Sequence, residues 1–481
     1  MRSASDEVKS YPGSHCAFRM RPKLKKGNRT VSPLKVLLVV YAFPPAAGVG
    51  VLRAASLARY FPAEGIRLDV LTARNPSSVG VDPSLLEVIP ADVNIHRITT
   101  LDIPFGIKKR LKRLFTSSKP PDSQADSTAK AGKPSFLKRA LQDLLLPDPQ
   151  VVWLPALTRA ARRIVKDREI DLVLITGAPF SSFLLAERLR KEFPRRAIVL
   201  DFRDEWLATQ LEIGGFPFSG SKRARSFAVR AESRVVASAT AVVAVTENAR
   251  HAMRGRYPQE PDDKFQLISN GFDATRLHRS ATSRERTPGS KIVVTHIGTV
   301  YPSTDPTTLI EAVQTLPPEL KSRFALRFIG HIEEPRYRNA LLQLGDMVEL
   351  RGFLPQHEAL AAMDESDYVL LIQHNRFNVA AKFYDYIGGG KPILAAVHPQ
   401  SDERRMLEEL RAGWWAGNRD VKGIRQLFVD AAARVDSLHS TFQPDAEKIA
   451  QYERKVLAHR YAELLHSIVR RQNGAGPHVN A

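Results

Sequence analysis

Lys382 and Asp385 are the two residues whose types and spacing most directly suggest chemistry. They follow an apolar run from Tyr368 to Gln373 and a polar loop, and glycines follow at 388–390, a pattern that predicts a strand, a loop and a short helix. The helix dipole opposes a lysine in its first turn unless an anion lies beside it. Free backbone N–H groups and a lysine suit a phosphate, and a carboxylate on the same helix face suits sugar hydroxyls. The pair favours a nucleotide site, although an ordinary helix with a solvated Lys382 explains the spacing equally well.

Small residues follow the first predicted strand in each half of the chain. Gly48 and Gly50 come after the run Leu34 to Val40, where glycines let backbone N–H groups approach a phosphate or a sugar. A plain tight turn is an equally good interpretation. His296, Gly298 and Thr299 hold the same place in the second half. We expect Gly298 and Thr299 to line a site, and His296 is either a core histidine bonded to backbone or a catalytic group.

The segment Asp201-Phe-Arg-Asp-Glu-Trp206 places three acids and an arginine at a strand end. Burying that charge without partners is costly. The group is therefore solvated, paired internally through Arg203 and Asp204, or turned toward a substrate. The sequence shows no metal-ligand spacing, no nucleophile elbow and no Walker-type loop.

Length and composition indicate a soluble two-domain protein. The chain has 481 residues, which is more than one ordinary core accommodates. Its content of 43% hydrophobic residues is normal for a soluble globular protein. The single cysteine, Cys16, excludes internal disulfides and favours a reducing, cytoplasmic compartment. No apolar run approaches the roughly 18 to 20 residues needed to span a bilayer. Residues 1–34 are basic without an apolar signal-peptide core and are predicted to form a disordered tail.

The net charge of +20 calls for an anionic partner or a local explanation. One basic stretch sets apolar side chains among cations, and a second from Phe136 to Leu146 repeats the pattern. Such amphipathic segments favour peripheral contact with an anionic membrane, with a surface helix packed on its own domain as the alternative. Nucleic acid is less favoured, because no binding module is recognisable. The residues of the first stretch are Phe105, Ile107, Lys108, Lys109, Arg110, Lys112 and Arg113.

Strand-like and helix-like segments alternate in two successive series, which predicts two doubly wound α/β domains with a cleft between them. The first domain is expected over residues 35–273, with a mobile low-complexity loop at 116–134. A polar linker is placed at 274–289 and the second domain at 290–444. Residues 445–481 are predicted to form a helix that packs back on the first domain, followed by a tail.

Together these segments resemble the retaining, family-4-type glycosyltransferases of the GT-B fold, in the variety found in bacterial polysaccharide and glycolipid assembly. The resemblance runs from Leu34 to about Arg470 and depends on the order and spacing of five motifs. They are Tyr41-Ala-Phe-Pro-Pro45 with its glycines, Asp201-Phe-Arg-Asp-Glu-Trp206, Asn270-Gly-Phe-Asp273, His296-Ile-Gly-Thr-Val-Tyr301 and Lys382-Phe-Tyr-Asp-Tyr-Ile-Gly-Gly-Gly-Lys-Pro-Ile-Leu394.

The resemblance implies an enzyme that moves a sugar from a UDP- or GDP-linked donor to a glycan or lipid-linked acceptor, without a cofactor or metal. Lys382 would neutralise the diphosphate leaving group, and Asp385 would hold the ribose. Arg203 or Asp204 would orient an acceptor bound by the first domain. The other donor-binding residues would be Gly48, Gly50, His296, Gly298, Thr299 and Asn378.

Three positions depart from the family pattern. Asp385 stands where the family usually has Glu, Phe377 where it often has a second acid, and Thr304 where it often has a basic residue. A catalytically weak or inactive sugar-nucleotide-binding partner in a polysaccharide assembly complex is therefore an alternative. A GT-B epimerase and a nucleic-acid binder are further alternatives.

Overall fold

The computed structural model describes residues 32–76, 80–100, 145–207, 222–277 and 289–474. Five predictions fall wholly or mostly outside these ranges. They concern the N-terminal tail, the basic stretch Phe105 to Arg113, the low-complexity loop at 116–134, the second basic stretch from Phe136 to Leu146 and the linker at 274–289.

The first half of the described chain forms a seven-stranded parallel sheet in the order β5-β3-β1-β6-β7-β8-β9. Alternate residues of β1 face opposite sides, and both sides are buried, which explains its continuous apolar run. Helices 154–167, 185–192 and 222–238 cover one side. The strands are β1 (Leu34–Val39), β3 (Ile66–Ala73), β5 (Asn94–Ile98), β6 (Leu172–Gly177), β7 (Ala197–Phe202), β8 (Ala241–Ala244) and β9 (Phe265–Leu267), with a small antiparallel pair β2 (Ala46–Ala47) and β4 (Gly80–Val81).

The second half forms a six-stranded parallel sheet in the order β12-β11-β10-β13-β14-β15, so both predicted strand–helix series are confirmed within the described residues. The strands are β10 (Ile292–Ile297), β11 (Phe324–Ile329), β12 (Val348–Gly352), β13 (Tyr368–Gln373), β14 (Ile393–Val397) and β15 (Gly413–Gly417).

Helices connect the strands in both halves. In the first half they are Val49–Tyr60, Ser84–Glu87, Leu154–Asp167, Leu185–Glu192, Lys222–Ser238 and Glu247–Arg256. In the second half they are Thr307–Gln314, Pro318–Lys321, Pro335–Leu342, Gln356–Asp364, Ala381–Gly388, Asp402–Leu410, Val421–Arg434, Leu438–Thr441 and Ala446–Ala450.

The last helix, Arg454–Gly474, returns to the first sheet and is called the crossing helix below. Leu457, Tyr461 and Leu465 are buried beside β1 and the helix Val49–Tyr60. The Nε2 atom of His466 lies 3.0 Å from the carbonyl oxygen of Glu64. The chain end that follows the second sheet therefore completes the core of the first.

Two edge strands, β5 and β15, are absent from the sequence prediction, as is the helix Val421–Arg434. Strand β5 contains Asn, His and Arg and is only half-buried, and β15 begins and ends with glycine. An edge strand has a neighbour on one side only, so its sequence lacks the continuous apolar run of a central strand.

Candidate functional site

The strand order of each sheet reverses at one place, and the candidate residues gather there. In the second sheet β10 lies between β11 and β13, although β11 follows it in the chain. Side chains and loops at the carboxyl ends of β10 and β13 therefore border a crevice, where doubly wound sheets bind ligands. Gly298 follows β10, and Lys382 follows β13 at the start of the helix Ala381–Gly388, called the lysine helix below.

Lys382 is directed at the end of β10. Its Nζ atom lies 2.9 Å from Nε2 of His296. A Cβ atom built on Gly298 would lie 3.4 Å from the same Nζ atom. Burial lowers the pKa of Lys382 to about 7, and no carboxylate pairs with it among the residues that the structure describes. A lysine amine that titrates near neutral pH thus stands at a helix N-terminus, with no carboxylate paired to it in the described residues.

His296 is fully buried, and both ring nitrogens have contacts. Nδ1 lies 3.2 Å from the carbonyl oxygen of Leu370, and the ring packs against Phe328 with centroids 5.4 Å apart. Burial and the neighbouring Lys382 hold the pKa of His296 well below its ordinary value. His296 is therefore a core histidine bonded to backbone, and it also contacts the candidate phosphate-binding lysine.

Glycines form the floor of the crevice beside Lys382. Gly298 has φ +121° and donates its N–H to the carbonyl oxygen of Ile329 at 2.7 Å. Gly330, with φ +132°, donates to Gly352 at 2.7 Å, and a Cβ atom there would collide with the carbonyl of Gly298. The neighbouring Thr299 accepts from the hydroxyl of Thr304 through its carbonyl oxygen. The ends of β10, β11 and β12 are thus joined by backbone contacts with no side chain between them.

An exposed aromatic pair continues this surface, and sequence reasoning missed it. Phe353 follows β12 directly and is 69% exposed. Its ring stacks on His331, with centroids 5.5 Å apart and an angle of 15° between the planes. The sequence feature that could have indicated Phe353 is an aromatic residue directly after the glycine that ends a predicted strand. The pair presents an exposed aromatic face at the end of β12.

Asp385 lies on the lysine helix and faces the connection to the first sheet. Burial raises its pKa to about 6, against the attraction of Arg454 and Arg276. Arg276 donates to Oε1 of Gln356 at 2.9 Å, near the start of the helix that follows Phe353. Asp385 therefore lies among cations at one side of the crevice.

Arg203 lies at the edge of the first sheet, but its contacts differ from the predicted catalytic role. Nε donates to the carbonyl oxygen of Gly177 at 3.1 Å, and the terminal nitrogens donate to the carbonyls of Gly50 and Ala178. A Cβ atom on Gly50 would lie 2.5 Å from the guanidinium. Arg203 therefore joins three loops, and Gly50 leaves space for it. Gly48 caps the helix Val49–Tyr60 at φ +126° and is exposed, as expected for an open glycine loop.

The remaining acids of the 201–206 segment have partners that the sequence did not indicate. Asp201 accepts two hydrogen bonds from Arg53, at 2.9 and 3.0 Å, and one from Thr176. Glu205 pairs with Arg256. Arginines outside the segment thus neutralise Asp201 and Glu205, while Arg203 and Asp204 attract each other within it.

Asp204 meets the second half of the chain. Nδ2 of Asn378 donates to Oδ1 of Asp204 at 3.4 Å, and burial raises the pKa of Asp204. Oδ1 of Asn378 is buried with no partner within the described residues. Two predicted site residues from different sheets therefore lie side by side, with one acceptor atom unused.

Solved structures share this architecture. Anabaena Alr3699/HepE in complex with UDP and glucose has a TM-score of 0.58 at 16% identity, covering 90% of this chain and 100% of that one. Sucrose-phosphate synthase from Thermosynechococcus elongatus has a TM-score of 0.61 at 13% identity, with 91% and 100% covered. WaaG, a glycosyltransferase involved in lipopolysaccharide biosynthesis, has a TM-score of 0.52 at 14% identity, with 91% and 98% covered. The fold is GT-B.

Sequence comparisons match parts of this GT-B chain. A domain model of Glycosyltransferase Family 4 matches residues 113–276. The putative colanic acid biosynthesis glycosyltransferase WcaL of Salmonella typhimurium is 26% identical over an alignment of 220 residues, with 43% of this chain and 52% of WcaL covered. WcaL of Escherichia coli is 23% identical over 218 residues, with the same shares covered. The chain spans about half the length of these curated relatives.

Two positions that depart from the family pattern are buried in the GT-B core. Thr304 is 1% exposed, and its hydroxyl accepts from the backbone N–H of Tyr301 at 3.0 Å. Phe377 is 5% exposed, and its carbonyl oxygen accepts from Thr246 of the first half at 2.5 Å. Neither side chain is available to a phosphate, so both positions have structural roles.

Glu403 is a buried acid beside the lysine helix that sequence reasoning missed. It is 0% exposed, and Oε1 accepts from the backbone N–H of Ala380 at 3.1 Å. Burial raises its pKa to about 8. Ala380 caps the lysine helix, so Glu403 fixes the backbone one residue before the helix begins. The sequence signal was weak, because acids at a helix start are common on protein surfaces.

Among the described residues, no group of three or more His, Cys, Asp or Glu side chains is placed to hold a metal ion. Within the same ranges, each helix is too short or too polar to cross a bilayer.

Proposed function

We propose that this chain is a glycosyltransferase that takes a sugar from a nucleoside diphosphate sugar and transfers it with retention of configuration, without a metal. One observation carries the proposal. Lys382 places a partly buried ammonium at a helix N-terminus, in the crevice of the second sheet, and no acid pairs with it within the described chain. Such a cation is opposed by the helix dipole until an anion binds.

The surface around Lys382 supports a nucleotide donor. A diphosphate beside Lys382 extends over the glycine floor, where Gly298 and Gly330 leave room for close approach. The base then rests on the ring of Phe353, which His331 backs by stacking. Asp385 lies on the same helix as Lys382 and accepts hydrogen bonds from the ribose hydroxyls.

The first sheet supplies the acceptor side in this proposal. We assign the acceptor to the exposed loop at Gly48 and to the pair Asp204–Asn378, in which Asn378 of the second half meets Asp204 of the first. The unused Oδ1 atom of Asn378 suits a sugar hydroxyl. Arg203 acts indirectly, because its guanidinium donates to backbone carbonyls and holds the loops in place.

The chemistry follows from the charges. As the bond between the sugar and the diphosphate breaks, negative charge grows on the leaving oxygen, where Lys382 and the N–H groups of the lysine helix stabilise it. The oxygen of the acceptor hydroxyl bonds to the anomeric carbon on the face that the diphosphate leaves, and its proton passes to the departing phosphate oxygen, so the configuration is retained. The ammonium and the helix dipole perform the charge neutralisation that a metal performs elsewhere.

The names of similar proteins support the substrate classes. HepE was solved with UDP and glucose, which supports a UDP-linked donor. The WcaL proteins are named for colanic acid biosynthesis and WaaG for lipopolysaccharide biosynthesis. We therefore infer a glycan or lipid-linked acceptor in polysaccharide assembly.

Binding and turnover are tested separately. UDP, GDP, ADP and CDP are screened by thermal shift, since a ligand of the native state raises its melting temperature. The matching sugar nucleotides are then incubated with lipid-linked acceptors, and the products are analysed by mass spectrometry and by NMR of the anomeric proton. We expect UDP or GDP to stabilise the protein and the new linkage to keep the donor configuration. Binding without transfer to any acceptor would contradict the enzymatic role, and absence of nucleotide binding would contradict the site.

We also propose that the protein works at the cytoplasmic face of an anionic membrane. Three neighbouring helices, 154–167, 185–192 and 222–238, cover one face of the first sheet and direct exposed cations outward. A layer rich in exposed cations suits acidic lipid headgroups. The exposed cations include Arg159, Arg163, Lys166, Lys191, Arg225 and Arg230.

Vesicle sedimentation tests this localisation. Binding to vesicles with 30% phosphatidylglycerol should fall when Arg159, Arg163, Arg225 and Arg230 are replaced by Gln, whereas neutral phosphatidylcholine vesicles should not bind either protein. Equal binding of the wild-type protein and the four-site variant to acidic vesicles would exclude this face as the membrane contact.

A further inference from the structure

The His296 ring has only one tautomer that satisfies both of its contacts. A backbone carbonyl oxygen accepts hydrogen bonds and cannot donate them. Since Nδ1 lies 3.2 Å from the carbonyl oxygen of Leu370, Nδ1 carries the proton. Nε2 then presents a lone pair to Nζ of Lys382, 2.9 Å away. The lysine is the donor in this contact.

The ring must stay neutral for this arrangement to hold. His296 is 0% exposed, and burial together with Lys382 keeps its pKa well below the ordinary value. A second proton on Nε2 would place two cations within hydrogen-bonding distance. His296 is therefore an acceptor for Lys382 throughout the neutral range and does not itself shuttle protons.

The other titratable groups around Lys382 have different partners. On the lysine helix, the Tyr386 hydroxyl accepts from the N–H of Ile297 at 3.0 Å and donates to the carbonyl of Leu370. Asp385 lies among Arg454, Arg276 and Asp273. In the described part of the chain, no carboxylate forms an ion pair with Lys382. Burial lowers the pKa of Lys382 to about 7, so the free protein holds a mixture of ammonium and neutral amine near neutral pH.

We propose that His296 is a positioning residue that aims the Lys382 amine at the diphosphate, and that donor binding is accompanied by uptake of a proton on that amine. The inference rests on the proposed function, since it takes the anion to be a nucleoside diphosphate. A bound diphosphate favours the ammonium over the amine. The amine gains one proton from solvent, and two of its three N–H groups remain free for phosphate oxygens while one donates to His296. Donor affinity therefore falls as the pH rises above about 7.

Calorimetry with UDP and GDP as probes tests this coupling. Each titration is performed at pH 6 and pH 8 in two buffers with different ionisation enthalpies. The difference between the binding heats in the two buffers gives the number of protons taken up. We expect close to one proton taken up per nucleotide at pH 8 and much less at pH 6. The Lys382→Gln variant should show no uptake.

Two substitutions of His296 separate positioning from packing. His296→Gln keeps an acceptor oxygen, and His296→Phe keeps a ring against Phe328 but has no acceptor. We expect His296→Phe to move the alkaline fall in affinity to lower pH and to weaken binding at pH 7 by roughly 3- to 10-fold, as for loss of one hydrogen bond. In His296→Gln, the pH of the alkaline fall and the affinity at pH 7 should both be close to those of the wild-type protein. Melting curves of each variant show whether it is folded.

The outcomes distinguish the two proposals. If neither nucleotide binds the wild-type protein, the proposed function fails and this inference fails with it. If a nucleotide binds without proton uptake at pH 8, the inference alone is wrong, and this measurement needs no variant. An unchanged pH profile in a folded His296→Phe protein would show that the histidine only fills the core.

Discussion

At the scale of single residues, the position of Lys382 is unfavourable for the fold and useful for binding an anion. Its ammonium lies in the first turn of the lysine helix, partly buried, with a neutral histidine as the partner. Folding gains little from a cation in that place, because both the helix dipole and burial oppose the charge. The sequence predicted that Lys382 lies in the first turn of a short helix, and the structure confirms that position. Its role in binding an anion stays a prediction.

The first prediction compares two lysines at matching helix positions. Lys382→Gln should weaken nucleoside diphosphate binding by roughly 10- to 1000-fold, because a charge-assisted contact to phosphate is lost. Lys455 is likewise the second residue of its helix, but it is exposed. Lys455→Gln should leave binding unchanged. Isothermal titration with UDP and GDP measures both, and equal affinities for wild type and Lys382→Gln would remove Lys382 from the site.

Glu403 yields a prediction about stability and pH. Its pKa is raised to about 8 by burial, so between pH 4.5 and 8 the folded state binds a proton that the unfolded state releases. The free energy of unfolding should therefore be highest at the acidic end of that window and should fall by at most about 1.4 kcal/mol per pH unit. Glu403→Gln keeps an acceptor for the N–H of Ala380, and its stability should depend less on pH.

Urea unfolding at pH 5, 6, 7 and 8 measures this dependence for both proteins. The variant should become the more stable of the two toward pH 8, where the wild-type carboxyl is charged and buried. Parallel curves for the two proteins would mean that Glu403 titrates normally. The sequence did not identify this residue, because its contact with Ala380 joins positions 23 residues apart.

At the scale of elements, Arg203 makes backbone contacts that its sequence motif did not predict. The sequence placed Arg203 correctly at the end of β7, within a predicted site. Its partners are carbonyl oxygens at the ends of β6 and the start of the helix Val49–Tyr60, one of them 153 residues away. Backbone carbonyls carry no sequence signature, so residue types alone could not reveal this contact.

Replacing Arg203 by Ala should therefore reduce stability as well as activity. Three carbonyl oxygens lose their donor, and each such loss in a partly buried place costs about 1 kcal/mol, so the free energy of unfolding should fall by about 2–4 kcal/mol. Arg195→Ala, at an exposed position, is the matched control. Urea titration followed by circular dichroism gives the stabilities. A catalytic role alone would lower turnover and leave the unfolding midpoint in place, contrary to this prediction.

The central strands were predictable from their apolar runs, since β1, β6, β10 and β13 are buried by helices on both faces. The missed strands, β5 and β15, lie at the sheet edges. The contacts between the two halves were also beyond sequence reasoning. Asn248 donates its side-chain N–H groups to the carbonyls of Arg376 and Gln400, at 2.8 and 2.7 Å, and nothing local in the sequence marks these partners.

At the scale of the whole molecule, the crossing helix ties the chain end to the first sheet. Leu465 is 0% exposed and lies in the same apolar cluster as β1 and the helix Val49–Tyr60. Periodicity predicted a helix over this region, and the resemblance supplied its destination. The proposed boundaries of the domains stay predictions, because the described residues from Leu34 onward form one compact unit.

This arrangement predicts that a change near residue 465 destabilises a sheet that ends about two hundred residues earlier. Leu465→Ala leaves a cavity in the first core and should lower the free energy of unfolding by about 2–5 kcal/mol. Trp153 and Trp206 are buried in the apolar cluster on the opposite side of the first sheet from Leu465, whereas Trp414 and Trp415 belong to β15. In a protein with Phe at both positions 414 and 415, tryptophan fluorescence therefore reports the unfolding of the first sheet. Its urea midpoint should fall for Leu465→Ala and stay in place for Arg470→Ala, whose side chain is exposed on the same helix. Equal midpoints for the two variants would contradict the packing, because only a helix docked on the first sheet can transmit the loss of Leu465 to those tryptophans.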